Sequence, residues 1–445
     1  MNILVTGATG YIASRLIPQL LDRGHTVRAL ARRPHLIGPR NWSSQISIFP
    51  GDVMDPESLA PALKDVHTAY YLIHNMSSGY GYTKLEIQAA RNFAFAAEQA
   101  GVQHIIYLGG LADPEQHIAP HLRSRIETGA TLRQGKVPVT EFRAGVIAGA
   151  GSISFEMIRF MTELFPIIPA PVWLKNKSQP IAVQNVVDYL LAALEKWDGH
   201  GRVFEIGGPE IITYQDLMLR YACIRGHKRR LFLMPYISVK FMAFGIGLMT
   251  PVSHPIARAL VEGLSSDSVV MHNDARKTYP EVNLVDFESA TKSALTRLHP
   301  LKIEHVWESA FESLPETTSE VHVSTLKHEG FFIDHREIKI DAELGNVFDA
   351  ITKIRMRRFI VDTIEPDHLL LLRSQRKTPG EGWIEWKVRH VSLYEDFVNV
   401  TCLTQTIYFT PHGLGGFLYW YLLYPIRAVI LHRLIKRIVR NSVVK

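Results

Sequence analysis

Gly7, Gly10 and Ala13 recur at three-residue spacing directly after the apolar run Ile3-Leu4-Val5. That spacing suits one task, holding a pyrophosphate against peptide N–H groups. A glycine at 7 permits a tight turn, and a glycine at 10 lets the backbone approach the phosphates. A small residue at 13 allows the following helix to pack on the strand. The free N–H groups and dipole of a helix N-terminus then favour the anion. Thr6, Gly7, Thr9, Gly10, Tyr11 and Ile12 are therefore the candidate cofactor contacts.

The neighbouring residues supply the elements that this chemistry requires. Ser14–Arg23 has a helical period and ends at Gly24, and His25–Ala31 reads as a second strand. Strand, glycine turn, helix and strand thus fall within about thirty residues, the setting of a dinucleotide site. The end of the second strand distinguishes the two nicotinamide cofactors. A carboxylate there would take the ribose 2′-hydroxyl, whereas arginine accommodates a 2′-phosphate. The chain offers Arg32 and Arg33, and no acid before Asp52, so NADP(H) is favoured over NAD(H). The plainer reading of both arginines is solvated loop charge. Arg28 could assist, unless strand alternation points it elsewhere.

Asp52-Val53 follows the apolar Ile46–Phe49 and is placed to meet the adenine. Asp52 fits equally as part of a helix start before Pro56–Leu59. Thr68–His74 reads as a buried strand followed by the glycine-containing stretch 75–82. Loops at the carboxyl ends of strands line the ligand crevice of an open α/β sheet, which makes Tyr80, Tyr82 and Lys84 candidates for the nicotinamide or substrate side.

These residues resemble the extended and atypical short-chain dehydrogenase/reductase superfamily, in its NmrA- and epimerase-like branch. Thr6-Gly7-x-x-Gly10-x-x-Ala13 matches its opening, and Phe142–Ile147 looks like its strand and loop beside the substrate. Gln179–Asp188 and Phe204–Glu210 resemble later landmarks of the extended members. The resemblance covers residues 1–315 and implies a doubly wound parallel-sheet α/β (Rossmann) domain. A small substrate lobe would come from residues 152–180 and 210–310.

The catalytic pattern departs from that family. Its members carry a serine after the fifth strand and a Tyr-x-x-x-Lys pair, in which the tyrosine is general acid/base. Here Gln103–Leu108 leads into Gly109-Gly110-Leu111 without a serine, and His121-Leu-Arg-Ser-Arg125 stands in place of the pair. His121 takes the tyrosine position, where an imidazole could donate a proton near neutral pH. Arg125 takes the lysine position, where it could hold ribose or phosphate but not lose a proton. His121 also fits a plain helix start, and Tyr107 on its apolar strand reads as core. Tyr82 completes the set of catalytic candidates, and no metal site is indicated.

In the middle of the chain, Ser152–Met161 is helical in period and Pro166–Trp173 reads as a proline-broken loop. Tyr236–Met249 is apolar, suiting either a greasy lid or ordinary core. Leu314–Glu320 reads as a linker. Beyond it, Glu329–Ile340, Arg358–Ile364, His368–Gln375, Gly382–Val391 and Phe397–Phe409 alternate as half-solvated antiparallel strands do, with a helical stretch at Val347–Ile351. A long helix closes the chain.

That order resembles the START-like (SRPBCC, helix-grip) superfamily, an α+β fold with an apolar cavity, here over residues 321–445. The whole chain resembles an uncharacterised bacterial family joining the two domains, with Thr404–Gly413 and Leu418–Tyr421 as its closing motifs. The resemblance implies a reductase of a bulky apolar carbonyl or quinone-like molecule, with a lipid-like ligand in the second domain. The alternative it leaves open is an inactive NADPH-binding structural or redox-sensing protein. A few dozen Gly/Trp-rich residues expected between Ile354 and Arg355 are missing from this sequence.

Composition sets the outer limits. The 445 residues are 47% hydrophobic and 21% charged, the balance of globular domains. The two cysteines, Cys223 and Cys402, exclude a disulfide framework. Met1-Asn2 runs straight into the first strand, which leads us to expect no leader peptide and a cytoplasmic location. The net charge of +6 is uneven, since residues 355–445 hold fourteen Lys/Arg against seven Asp/Glu. No nucleic-acid module accompanies that excess. In the closing helix, Arg433, Lys436, Arg437 and Arg440 share an arc, with Ile430, Leu434, Ile435 and Ile438 placed opposite and Arg427 breaking the pattern. The basic arc is a solvated face or a peripheral contact with the inner membrane surface.

Overall fold

Val5 and Ile3 point to one side of the first strand and Leu4 to the other, and both sides are buried. That pattern requires layers on both faces of a sheet, and the computed structural model shows them. It describes residues 1–38, 40–74, 82–113, 115–116, 118–234, 238–249, 254–302, 322–328, 331–354, 356–375, 377–390 and 400–443. The chain divides into two compact units, residues 1–162 with 167–297, and residues 298–445 with the short stretch 163–166. The expected linker at 314–320 lies outside the described residues.

The first unit is built on seven parallel strands: β1 (Asn2–Thr6), β2 (Thr26–Ala31), β3 (Ser47–Pro50), β4 (Thr68–Tyr71), β5 (His104–Gly110), β6 (Val139–Ala144) and β7 (Val203–Ile206). Their order is β3-β2-β1-β4-β5-β6-β7. Strand order reverses between β1 and β4, which opens a crevice above the carboxyl ends of those two strands. The connecting helices are α1 (Ala13–Asp22), α2 (Pro56–Leu63), α3 (Tyr82–Gln99), α4 (Pro120–Leu132) and α5 (Val183–Glu195). Ile3 and Val5 pack with Leu16, Ile17 and Leu20 of α1 and Leu190 of α5. Leu4 packs on the opposite face with Leu59 of α2 and Phe93 of α3. Full burial of each such side chain is worth about 1.5–3 kcal/mol.

The rest of this unit is made of short strand pairs and helices. Pro166–Trp173 corrects the expectation of a loop, because Ile167–Pro171 is a strand that pairs in parallel with Arg230–Met234. Proline is tolerated there because the pair is only two strands wide and has open edges. Of the apolar stretch from Tyr236, Val239–Met249 is a helix that buries Met242, Ala243 and Ile246 and exposes Phe241 and Phe244, while Tyr236 lies outside the described residues.

The second unit is a six-stranded antiparallel sheet with helices. Its strands are β8 (His322–His328), β9 (Phe331–Asp341), β10 (Phe359–Glu365), β11 (Leu369–Ser374), β12 (Gly380–His390) and β13 (Val400–Pro411), in the order β8-β9-β13-β12-β11-β10. Alternation located five of these strands; β8 is an addition. Glu329, Arg355, Val391 and Phe397 lie outside the described residues. Helix α6 (Leu344–Thr352) crosses over between β9 and β10. The Gln405 amide on β13, oriented to satisfy both partners, meets the Leu431 carbonyl at 3.3 Å and Trp386 Nε1 at 3.2 Å. The outermost strand β10 exposes Ile360, Val361 and Ile364, and its register slips between Val361 and Thr363. Asp362, at the slip, meets His299 Nε2 at 2.6 Å.

The closing helix is two helices, α7 (Gly413–Leu422) and α8 (Tyr424–Val443), whose axes meet at 58°. Pro425 sits in the first turn of α8, the position proline favours and one from which a preceding helix cannot continue. The Arg427 guanidinium stacks 3.6 Å from the Trp420 ring and donates to the Trp420 carbonyl at 3.0 Å, fastening the bend. Arg427 breaks the helical pattern because it is an inward-facing charge. Ile430 corrects the expected arrangement too: it is exposed beside the basic arc, while Ile435 and Ile438 are buried.

Candidate active site

The glycine turn is fixed by close contacts. Gly7 has φ +63°, and a Cβ there would lie 2.7 Å from the Leu72 carbonyl oxygen at the exit of β4. A Cβ on Gly10 would lie 2.9 Å from the Gly7 oxygen, which already accepts the Gly10 N–H at 2.8 Å. Only glycine closes this turn without strain. Ala13 begins α1, whose first turn holds no acidic residue.

The flanking candidates divide. The buried Thr6 hydroxyl donates to the Tyr70 carbonyl at 3.1 Å and accepts from Leu72 N–H at 3.2 Å, so it rivets β1 to β4. Thr9 is half-buried in the turn. The Tyr11 ring lies 3.9 Å from the Arg15 guanidinium, and Ile12 packs against the core as α1 begins.

At the end of β2, Arg32 is exposed and Arg33 half-buried, both directly past Ala31. Arg28 is turned away, donating to the Lys64 carbonyl at the end of α2. Asp52 Oδ1 accepts the Met54 N–H at 2.9 Å, and Asp55 is the residue that caps α2. Val53 buries its side chain in the core and offers its carbonyl to Asn92 at 3.0 Å. Turn formation thus engages both residues expected at the adenine.

A buried polar cluster stands beyond β4 and β5. His74 shares a 2.8 Å hydrogen bond with Glu86 of α3, and Ser124 of α4 donates to the other Glu86 oxygen. His121 begins α4 and is 6% exposed, with Arg125 one turn further on. A Cβ on Gly263 would come within 2.9 Å of the His121 ring, so helix His254–Gly263 closes over it. Burial, then the Arg125 charge, lowers His74 to about 4. Burial, then Arg125 and His74, lowers His121 to about 3, against a weaker pull from Glu86. At neutral pH both rings are neutral, so His121 presents an uncharged ring N–H. His74 Nε2 and His121 Nδ1 are buried without a hydrogen-bond partner among the described residues.

The missing serine has a steric reason. A Cβ on Gly110 would lie 2.8 Å from Leu122 Cδ2 and 3.1 Å from Arg125 Cδ, so α4 sits where a side chain would project. Tyr107 is core, as expected: it is buried and donates to the Arg125 carbonyl at 2.9 Å. Tyr80 and the Tyr82 side chain lie outside the described residues, and Lys84 is exposed on α3. Sequence reasoning missed His74, Glu86 and Ser124. The available signal was Glu86 itself, an acid on the same helical face as the buried Ala89, Ala90 and Phe93.

Comparison with known proteins agrees with this geometry. Residues 1–195 match the model of the NmrA-like family. That match falls on the parallel sheet and its first helices, and the N-terminal unit has a Rossmann-type α/β fold. A 3β-hydroxysteroid dehydrogenase/Δ5→4-isomerase of Mycobacterium tuberculosis is 30% identical over 116 residues, 24% of this chain and 30% of that protein. The chain thus spans under a third of that relative's length. Photosystem II assembly factor Ycf39 of Cyanophora paradoxa is 23% identical over 245 residues, 53% of this chain and 72% of that one.

Two solved structures share the fold. Citrobacter sp. triphenylmethane reductase complexed with NADP(H) has a TM-score of 0.52 at 19% identity, covering 66% of this chain and all of its own. The Escherichia coli NADPH-dependent quinone oxidoreductase complexed with NADPH has a TM-score of 0.54 at 17% identity, covering 65% of this chain and 98% of its own.

Proposed function

We propose that this chain binds NADP(H) and reduces a bulky apolar carbonyl or quinone-like molecule. The observation that carries this reading is one juxtaposition. The phosphate-sized glycine turn abuts Leu72-Ile73, and the next residue, His74, opens the buried polar cluster. The residues fit the cofactor, because Gly7 and Gly10 present backbone alone, the first turn of α1 lacks acids, and Arg32 and Arg33 follow β2. A bound reduced nicotinamide supplies the hydride. A substrate of this class is carried over from the two solved neighbours, a triphenylmethane reductase and a quinone oxidoreductase.

In this reading His121 acts through its neutral N–H, donating a hydrogen bond to the substrate oxygen. Burial, reinforced by the Arg125 charge, keeps both histidines neutral, and Arg125 faces the developing negative charge. The His74–Glu86–Ser124 chain is the route for the proton that completes reduction. The C-terminal unit, an antiparallel sheet with helices, is read as a START-like helix-grip domain holding a lipid-like molecule. Arg336 and Arg427 support a polar-headed ligand there, since each has a buried guanidinium N–H with no partner among the described residues.

A second reading is an NADPH-binding structural or redox-sensing protein without turnover. It is favoured by the absent serine and by the enclosure of a neutral His121, and one relative is named an assembly factor. Native mass spectrometry and NADPH titration test the shared premise, and failure to bind nucleotide overturns both readings. NADPH oxidation over a quinone and carbonyl panel separates them. With an active substrate, His121→Ala and Arg125→Ala should each lower turnover about a hundredfold. Full activity in both variants would sink the assignment.

A further inference from the structure

The last fifty residues of the chain contain no acid after Asp396, and their two helices carry an unusual share of exposed apolar surface. Leu418, Leu422 and Leu423 are exposed around the α7–α8 elbow, and Ile426, Val429 and Ile430 continue the patch along α8. Leu422 is 71% and Ile426 60% exposed. Arg433, Lys436, Arg437 and Arg440 follow, all exposed and with no ion pair among the described residues. At 100° per residue, Ile426, Val429, Ile430 and these four cations occupy an arc of about 120°. Leu431, Ile435, Ile438 and Ser442 lie on the opposite side and are buried. One face is therefore apolar at the elbow and cationic beyond it, while the other is committed to the interior of the unit.

We propose that this face docks on a bilayer containing anionic phospholipid, with the elbow entering the headgroup region and the cations on lipid phosphates. Charge complementarity selects the partner, since an apolar patch continued by four unpaired cations matches a surface that is greasy within and negative at its rim. The burial of Leu431, Ile435 and Ile438 makes the contact shallow, because a spanning helix would have to abandon its core. No single described helix is long and apolar enough to cross a membrane. Arg427, stacked on Trp420, holds the elbow in its presenting shape.

The test is flotation of the full chain with phosphatidylcholine vesicles, with and without phosphatidylglycerol. The expected result is at least tenfold stronger association with the anionic vesicles, weakening as salt rises. Replacing Arg433, Lys436, Arg437 and Arg440 singly by Gln should cost about fivefold each. Leu422→Glu with Ile426→Glu should abolish flotation and leave the circular dichroism and melting of the chain unchanged, because both side chains are exposed. Absence of flotation with either vesicle, or flotation that survives the double variant, overturns the proposal. So does a wild-type dimer that ignores vesicles and becomes monomeric in the double variant, which would assign the face to a second copy of the chain.

Discussion

Each unit buries a cluster of charged and polar side chains, and the two differ in what their groups can do. In the N-terminal unit, His74, Glu86, His121, Ser124 and Arg125 combine titratable groups with a fixed charge that adds to burial in lowering the histidines. In the C-terminal unit, Asp334 is 3.0 Å from Arg336 and 3.7 Å from Arg427, and neither arginine gives up a proton. The first cluster holds imidazoles whose protonation can change. In the second the arginines stay charged, and their ion pairs with Asp334 join β9 to the α7–α8 bend. Burial alone thus does not mark chemistry; a neutralisable group beside a fixed one does.

The largest expected effect breaks the second cluster. Arg427→Ala leaves Asp334 and Arg336 buried with a disturbed balance and should destabilise the C-terminal unit by about 3–5 kcal/mol. Faster hydrogen exchange across β9 and β13 would report it. Replacing Asp334, Arg336 and Arg427 together by Leu, Met and Met should recover most of the loss, and failure to recover would show that the charges do more than pair. In the first cluster, Glu86→Gln should lower turnover about a hundredfold and leave NADPH affinity within twofold. An equal loss of affinity would make Glu86 a support of the fold instead.

Acid should separate the clusters further. His74, held near 4, and His104 and His121, held near 3, are protonated far more readily in the unfolded chain, where histidine titrates near 6.5. Their contribution is complete above about pH 6.5 and is lost progressively as pH falls toward about 3. The melting temperature of the N-terminal unit should drop over that window, and His104→Gln should flatten the drop. Burial raises Asp334, so its contribution changes in the opposite direction and improves on acidification. The smallest effect concerns the cofactor. Arg32→Ser should weaken NADPH about tenfold with NADH unchanged, whereas Arg28→Ser should alter neither. Calorimetric titration with both nucleotides decides the matter.

The glycine turn and all strands of the two large sheets but β8 were legible because their signals are local. Gly7-x-x-Gly10 declares its own conformation, and the apolar and β-branched residues between Gly380 and Pro411 declare strands, although Trp383–Trp386 and Gln405–Pro411 are buried throughout and do not alternate as half-solvated strands do. The polar cluster was legible only at His121 and Arg125, through resemblance. His74 and Glu86 are twelve residues apart, and nothing local says that their side chains meet. The neutrality of His121 was hidden for a similar reason, since the helix that encloses it ends at Gly263. The elbow escaped because Pro425 reads equally as the start of a helix and as a kink within one. Arg28 shows the converse: a residue of the right type near the right strand is drawn away by the open carbonyls ending α2.

The slip in β10 has a consequence for how the chain behaves at high concentration. An outer strand with exposed Ile360, Val361 and Ile364 is the template on which a neighbouring molecule could add its own strand and begin a fibre. The irregularity interrupts the row of open peptide groups at its middle, and the Asp362 carboxylate, tied to His299, places a charge in the gap. The bulge thereby keeps the sheet finite.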